Sequence, residues 1–153
     1  MKTHFDILLA ARERLVKTVE GLSLAQVLYQ PPGFSNHIAW NFCHILVSQQ
    51  ILTYGKSQKP FVLEQSIIDT FRRGTKAEDN ISTEFWIAMQ EMAIATAERL
   101  QTDYQSGLFD TFEPYTTGFG YHLADIEGAV AFNNVHEGLH IGYIMAQKKL
   151  LPS

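Results

Sequence analysis

The spacing of apolar residues constrains the fold of this chain more than any other feature. Over four long stretches these residues return at steps of three and four, which places them on one face of an α-helix. The spacing predicts helices over residues 5–22, 38–54, 82–105 and 125–150. No stretch of useful length shows the alternation that is typical of a half-buried strand. We therefore expect an all-α fold.

The connection between the second and third predicted helices is long. Residues 56–81 include Pro60 and Gly74, and an apolar patch at residues 67–71 predicts a short helix inside the connection. A helix of about 20 residues is about 30 Å long, so this linker can run back along a whole helix. The chain is thus predicted to be a four-helix bundle with a long crossover connection between helices two and three. Its length fits a single domain over residues 1–153.

The segment 107–124 combines helix breakers with aromatic side chains. It contains Gly107, Pro114, Gly118 and Gly120 among Phe109, Phe112, Tyr115, Phe119 and Tyr121. This composition predicts a loop, and long loops in compact domains are often functional. We expect this aromatic loop to close over any catalytic site.

Composition excludes several classes of function. A formal charge of -4 and a pI near 5.8 argue against a nucleic-acid-binding surface, which needs clustered Lys and Arg. No run approaches the roughly 20 apolar residues of a membrane span. Cys43 is the single cysteine and cannot form an internal disulfide, and charged residues interrupt the N-terminal segment where a signal peptide would be apolar. We expect a cytoplasmic protein.

Two histidines near the end of the chain have the spacing of a metal clamp. His136 and His140 are four residues apart on the last predicted helix, so one face of that helix carries both imidazoles. Two ligands alone rarely hold a metal ion. Because residues 141–153 contain no His, Asp, Glu or Cys, a third ligand must come from upstream.

His44 is the best candidate for that third ligand. It lies in the middle of the second helix among apolar residues, where an imidazole without a partner would be costly to bury. Three histidines leave one coordination position open, which is typical of a catalytic metal site. Imidazole ligands suit Zn, Ni, Cu or Fe, and we expect a divalent zinc or nickel ion.

The residues alone leave other interpretations open. The pair His136 and His140 can be surface residues, and a core histidine such as His44 is often bonded to a carbonyl group instead. Residues 136–140 also match the H-E-x-x-H pattern of zinc proteases, in which Glu137 would be a general base. Those proteases normally take their third ligand from downstream, which is impossible here. We rank a protease lower and expect Glu137 at the flank of the site.

Some polar residues have weaker claims to a functional role. Arg12 falls on the apolar stripe of the first helix; we expect its stem on the core and its charge in water, with a site as the alternative. Arg72, Arg73 and Lys76 form a basic cluster that we interpret as a solvated helix end rather than an anion site. We expect His37 at a solvated helix start.

The remaining small residues have structural explanations. Cys43 projects away from His44 and is interpreted as a core residue. Gly138 and Gly142 share a face of the last helix that is turned away from the histidines. Close packing by another helix or by a second subunit would explain them, and tolerated small residues are the alternative.

Two segments resemble the DinB-like superfamily of metalloenzymes, also called YfiT-like, which is unrelated to the DNA polymerase of similar name. Residues 36–45 (NHIAWNFCHI) are similar to its second-helix pattern, with an apolar start, a Trp and a metal-binding His. Residues 136–144 (HEGLHIGYI) are similar to its last-helix H-x-x-x-H pattern. Asn41 stands where many relatives have another His and Tyr143 where many have Gln, so no fourth protein ligand is implied.

The resemblance implies a four-helix bundle with the metal ligands His44, His136 and His140. It also implies a homodimer, and some relatives transfer low-molecular-weight thiols or isomerise thiol adducts. Two hypotheses follow. The protein is either a metal-dependent enzyme, such as a thiol S-transferase or a hydrolase, or a non-catalytic bundle that is stabilised by metal or serves as a dimeric interaction protein.

Overall fold

The protein is mostly helical, as the apolar spacing predicts. A computed structural model describes residues 1–77 and 80–152. The elements are α1 (Lys2–Val19), α2 (Leu24–Leu28), α3 (Ile38–Gln50), a π-helical turn (Ile51–Gly55), α4 (Gln65–Phe71), α5 (Thr83–Gln105), β1 (Tyr115–Thr116), β2 (His122–Leu123) and α6 (Ile126–Lys148).

The first predicted helix ends earlier than expected. Helix α1 stops at Val19, and Gly21 then adopts a left-handed conformation with φ +76°. Ser23 starts the short helix α2, in which Ser23 and Gln26 bond each other's backbone N–H groups in a capping box. The prediction of one helix over 5–22 was therefore wrong at its end and missed α2.

The second predicted helix is correct in extent but changes its winding. Helix α3 ends at Gln50 and continues as the π-helical turn to Gly55. Its N-cap is His37, because the His37 Nδ1 accepts a bond from the Trp40 N–H at 3.0 Å. His37 is also buried, so the expected solvated helix start was wrong.

The two connections contain more structure than loops. The short helix predicted between residues 67 and 71 is present as α4. The aromatic segment 107–124 includes the antiparallel pair β1 and β2, which was not predicted. Two residues per strand are too few to produce a visible alternation in a sequence.

Four long helices pack in a closed ring, in which α3 contacts α5 and α6, and α1 contacts the same two helices. Every residue of α3 is buried, because α2 and α4 cover it as well. This explains why α3 is apolar around most of its circumference rather than along one stripe. None of the helices in the described part of the chain is both long and apolar enough to cross a membrane.

A buried ion pair joins α1 to α6, which corrects two expectations. Arg12 is fully buried, and its Nε and Nη2 donate to Glu137 at 2.7 and 2.8 Å. Its Nη1 donates to the Ala93 carbonyl and its Nη2 also to Gln49 Oε1. Arg12 therefore does not reach water, since α3, α5 and α6 supply a partner for each of its nitrogens. Glu137 lies in the core and not at the flank of the histidines.

Candidate metal centre

Three histidines from two helices converge at one point. Each of His44, His136 and His140 offers a ring nitrogen, and these three nitrogens lie within 4.8 Å of one another. The ring centroids are 4.5 to 5.2 Å apart. Helix α3 supplies the first histidine and α6 the other two, and the two helices pack directly on each other. The arrangement is close enough to hold one metal ion.

The backbone of α4 determines which nitrogen of His44 is free. Its Nδ1 lies 2.7 Å from the carbonyl oxygen of Phe71. A carbonyl can only accept, so Nδ1 carries the proton and Nε2 keeps its lone pair. The Ser48 hydroxyl, 3.2 Å away, donates to that Nε2. His44 also stacks on Trp40 with the ring centroids 4.5 Å apart. The His44 Nε2 is therefore oriented and unprotonated, and an ion that binds it would replace the bond from Ser48.

Asn41 orients His140 in the same way. The Asn41 Nδ2 donates to the His37 carbonyl at 3.1 Å and to Gln147 Oε1 at 3.3 Å, which turns Oδ1 towards the histidine. Oδ1 accepts a bond from the His140 Nδ1 at 2.9 Å. The His140 Nε2 is thus the available ligand atom. Outer-shell bonds of this kind fix the tautomer and the ring orientation of histidines that bind metal.

His136 has a nitrogen without a partner. Among the described residues, no group bonds its Nδ1, although that atom is buried. A buried polar atom without a hydrogen bond is costly. A metal ion bound by this imidazole would satisfy one nitrogen and polarise the ring. The donor set, three neutral imidazoles with two of them oriented by acceptors, fits a divalent metal ion.

The three imidazoles are uncharged near neutral pH. Burial, followed by the neighbouring His140 and His44, lowers the pKa of His136 to about 3. Burial and His44 lower the pKa of His140 to about 4. Burial also lowers the pKa of His44, against the bond to the Phe71 carbonyl, which raises it. Since only the neutral imidazole binds metal, no proton has to leave before an ion binds.

The histidines lie in the wall of a cavity of about 860 Å³. This volume is within the usual range for small-molecule sites. The aromatic segment contributes residues to the same cavity, and its closure over the site stays a prediction. The lining of the cavity includes aromatic and aliphatic side chains, the histidines and two cations. Besides the histidines, it consists chiefly of Phe34, Trp40, Ile51, Leu52, Lys56, Arg73, Tyr115, Phe119, Phe132, Leu139 and Tyr143.

Several residues that sequence reasoning missed or misjudged support the site. Asn41 was noted only as a departure from the family pattern, whereas it orients His140. Ser48 was missed; its position one helical turn after His44 was the available signal. Arg73 lines the cavity, which the interpretation of a solvated helix end did not foresee, while Arg72 and Lys76 do not line it.

Glu137 cannot serve the protease role that the H-E-x-x-H match suggests. Both of its oxygens accept bonds from Arg12, and Asn133 donates a further bond to Oε1 at 2.7 Å. It does not line the cavity. Cys43 is buried as predicted, and burial raises the pKa of its thiol, so it is no ready nucleophile.

Comparison with known proteins agrees with this geometry. Among curated proteins, none matches the sequence. The family model of the DinB superfamily matches residues 7–144, a range that contains all three histidines and the four long helices almost entirely. The chain therefore belongs to the DinB superfamily.

Proposed function

We propose that this protein is a metal-dependent enzyme that holds one divalent ion, Zn²⁺ or Ni²⁺, with His44, His136 and His140. The observation that carries the proposal is the convergence of three neutral ring nitrogens at the wall of a cavity large enough for a small molecule. The fold would be a single four-helix bundle domain over residues 1–153 whose long connection, including α4, crosses over between α3 and α5.

The reaction we propose is transfer of a low-molecular-weight thiol, with hydrolysis as the alternative. A bound ion would supply Lewis-acid polarisation and lower the pKa of a thiol or a water molecule. The chain itself would orient the ligand set through the Phe71 carbonyl and Asn41. The Ser48 hydroxyl, which lines the cavity, would give up its bond to the His44 Nε2 when that nitrogen binds the ion. The aromatic wall would exclude water from the substrate.

A homodimer in the cytoplasm completes the proposal. Helix α6 carries three exposed apolar residues, Val135, Leu139 and Met145. No other described residue comes within 4 Å of a Cβ placed on Gly138 or Gly142, so no helix of this chain packs there. A second subunit would cover this surface. Sedimentation velocity tests it: a mass of about twice 17.3 kDa is expected, and Val135→Arg, at an exposed residue that does not line the cavity, should reduce it to the monomer mass.

The first experiment is metal analysis by elemental mass spectrometry on untagged protein. Wild type should carry close to one equivalent of Zn or Ni, and His44→Ala and His140→Ala should carry none. A screen for thiol transfer and hydrolysis then compares loaded wild type with His136→Ala. No metal in wild type after reconstitution would refute the site.

A non-catalytic bundle is the second candidate function. Its support is the direct packing of α3 on α6, which an ion held by histidines of both helices would stabilise. In that case metal would raise the melting temperature, and neither reaction would be detected in the screen. Turnover that depends on His136 would exclude it.

A further inference from the structure

The charge of the cavity wall points to the chemistry of its ligand. Lys56 and Arg73 both line the cavity, and no Asp or Glu among the described residues does. The chain as a whole has a formal charge of -4, so the excess of cations among the described lining residues differs from the average of the sequence. Three neutral imidazoles add no negative charge. A cavity lined by one sign of charge attracts and concentrates ligands of the opposite sign.

The turn that carries Arg73 is attached to the histidine site on both sides. Before it, the Phe71 carbonyl bonds the His44 Nδ1 at 2.7 Å. After it, the Thr75 hydroxyl accepts from the Trp40 Nε1 at 3.1 Å, and Trp40 is the ring that stacks on His44. The position of Arg73 on the wall is therefore set by the same two rings that form one side of the candidate metal centre.

The guanidinium group of Arg73 also lies against the aromatic segment. A Cβ placed on Gly118 would lie 3.2 Å from the Arg73 Nη1, so the glycine allows the group to lie against the backbone. Within the described part of the chain, no carboxylate lies within 4 Å of this guanidinium. Among these described residues, none neutralises the charge of Arg73.

Lys56 contributes a second charge at the same wall. Its Nζ lies 4.9 Å from the centre of the Tyr115 ring and 3.5 Å from Glu113, whose side chain is 61% exposed. That ion pair is long and solvated, so it neutralises the lysine only weakly. The rest of the lining is largely apolar, with Phe119 and Phe132 in edge-to-face contact.

We propose that the cavity binds a carboxylate-bearing small molecule, with the carboxylate on Arg73 and Lys56 and its apolar body against the aromatic wall. The planar guanidinium group can donate two parallel bonds to a carboxylate, which makes Arg73 the principal anchor. The inference rests on the proposed function, because the candidate metal centre in the same wall makes the bound molecule a substrate.

The test is isothermal titration calorimetry with two matched probe pairs, phenylacetate with phenylacetamide and cinnamate with cinnamamide. Each pair shares an apolar body and differs in charge. Wild type should bind each carboxylate more tightly than its amide. Arg73→Gln should weaken carboxylate binding about tenfold, as expected for a charge-assisted hydrogen bond, and leave the amides unchanged. Lys56→Gln should have a smaller effect in the same direction.

Two neighbouring cations provide matched controls. Arg72→Gln changes the adjacent residue of the same turn, and Lys59→Gln changes a lysine that pairs with Asp110 at 2.6 Å. Neither residue lines the cavity, so both variants should bind the probes like wild type. Equal binding of carboxylates and amides by wild type, equal effects of Arg72→Gln and Arg73→Gln, or no carboxylate binding at all would overturn the inference.

Metal content separates this inference from the proposed function. The titrations are run on zinc-loaded and on EDTA-treated protein, and the bound metal is measured in each sample. If the zinc-loaded wild type contains no metal, the proposed function is refuted. The effect of Arg73→Gln on carboxylate binding is still measured in that metal-free protein. Full metal occupancy without a carboxylate preference refutes the inference and leaves the metal site standing.

Discussion

Two adjacent residues of α6, His136 and Glu137, belong to polar clusters of different kinds. Glu137 is fully buried, and both of its oxygens are bonded by side chains of the same protein. His136 is partly exposed to a cavity, and its buried Nδ1 has no partner in the described part of the chain. The polar atoms of the Arg12–Glu137 pair are all bonded within the protein, whereas the histidine cluster keeps a buried nitrogen without a bond.

The difference teaches how to separate structural from functional polar groups in this fold. A buried ion pair whose polar atoms are all bonded ties α1, α3, α5 and α6 together and leaves no capacity for a ligand. The histidine cluster consists of neutral bases in a cavity wall, two of them oriented by hydrogen bonds and one with an unsatisfied nitrogen. It can therefore still bind a ligand. Variants of the first cluster should change stability, and those of the second should change ligand binding.

The largest expected effect comes from breaking the ion pair on one side. Glu137→Gln leaves the Arg12 charge buried without its carboxylate, which should lower the free energy of unfolding by about 3–5 kcal/mol. Urea denaturation followed by circular dichroism measures the loss. The folded fraction should still bind one metal ion per chain. Normal stability with loss of metal would instead show that Glu137 serves the histidine site.

A double variant is the control for that prediction. Arg12→Met with Glu137→Leu removes both charges together, so no unpaired charge remains in the core. Replacing both partners of a buried pair by apolar groups is often neutral or stabilising. The double variant should therefore recover most of the stability that Glu137→Gln loses. Failure to recover it would mean that the ion pair is required for the packing of these helices.

Metal removal should have the next largest effect. An ion that binds only the folded state stabilises it by about 2.7 kcal/mol when its free concentration is a hundred times Kd. Denaturation of wild type with zinc and with EDTA should differ by this amount, and His136→Ala should show no difference. His122→Ala is the matched control, because His122 is an exposed residue of β2 and should leave the zinc effect intact.

The pH dependence of the metal-free protein tests the same cluster. Burial depresses the pKa of His136 to about 3 and of His140 to about 4, from 6.5 in the unfolded chain. Above pH 6.5 neither state holds these protons and stability is unaffected. As the pH falls below 6.5, the unfolded state binds protons that the folded state does not bind. The free energy of unfolding therefore decreases.

The expected loss is about 2 kcal/mol between pH 6.5 and pH 5 for each histidine that stays neutral. This window lies above the usual titration of carboxylates. Urea denaturation of EDTA-treated protein at several pH values measures it. The variant with His136→Asn and His140→Gln should have a flatter profile between these pH values. Superimposable profiles would contradict the depressed pKa values.

The sequence predicted the long helices and the three histidines, but not the partners of the polar groups. Spacing at three and four residues is a local property, so α5 and α6 were placed to within a few residues of their ends. The partners of Arg12 are 37 to 125 residues away in the chain. Local spacing carries no information about such pairs, and so Arg12 and Glu137 were misjudged together.

The same reasoning applies to the cavity. That the loop 107–124 reaches the site could be expected from its length and aromatic content, and its residues do line the wall. That Arg73 faces the cavity while Arg72 does not depends on one turn after α4, where Gly74 adopts φ +91°. A single turn of this kind decides which of two identical side chains is available, and composition cannot distinguish them.

The smallest predicted effect concerns Asn41. Its Nδ2 is bonded within the protein, and its Oδ1 orients His140. Asn41→Ala removes the acceptor of the His140 Nδ1, so the imidazole can rotate or change tautomer. We expect metal affinity to fall about tenfold, the lower end of the usual range for such partners. Competition with a zinc chelator measures it.

Two variants are the controls for the Asn41 prediction. Asn41→Asp keeps an acceptor in place and should retain affinity. Asn134→Ala removes a bond to the His4 carbonyl elsewhere on α6 and should have no effect on zinc affinity. Equal affinity in Asn41→Ala and wild type would mean that the packing of α3 on α6 alone orients His140.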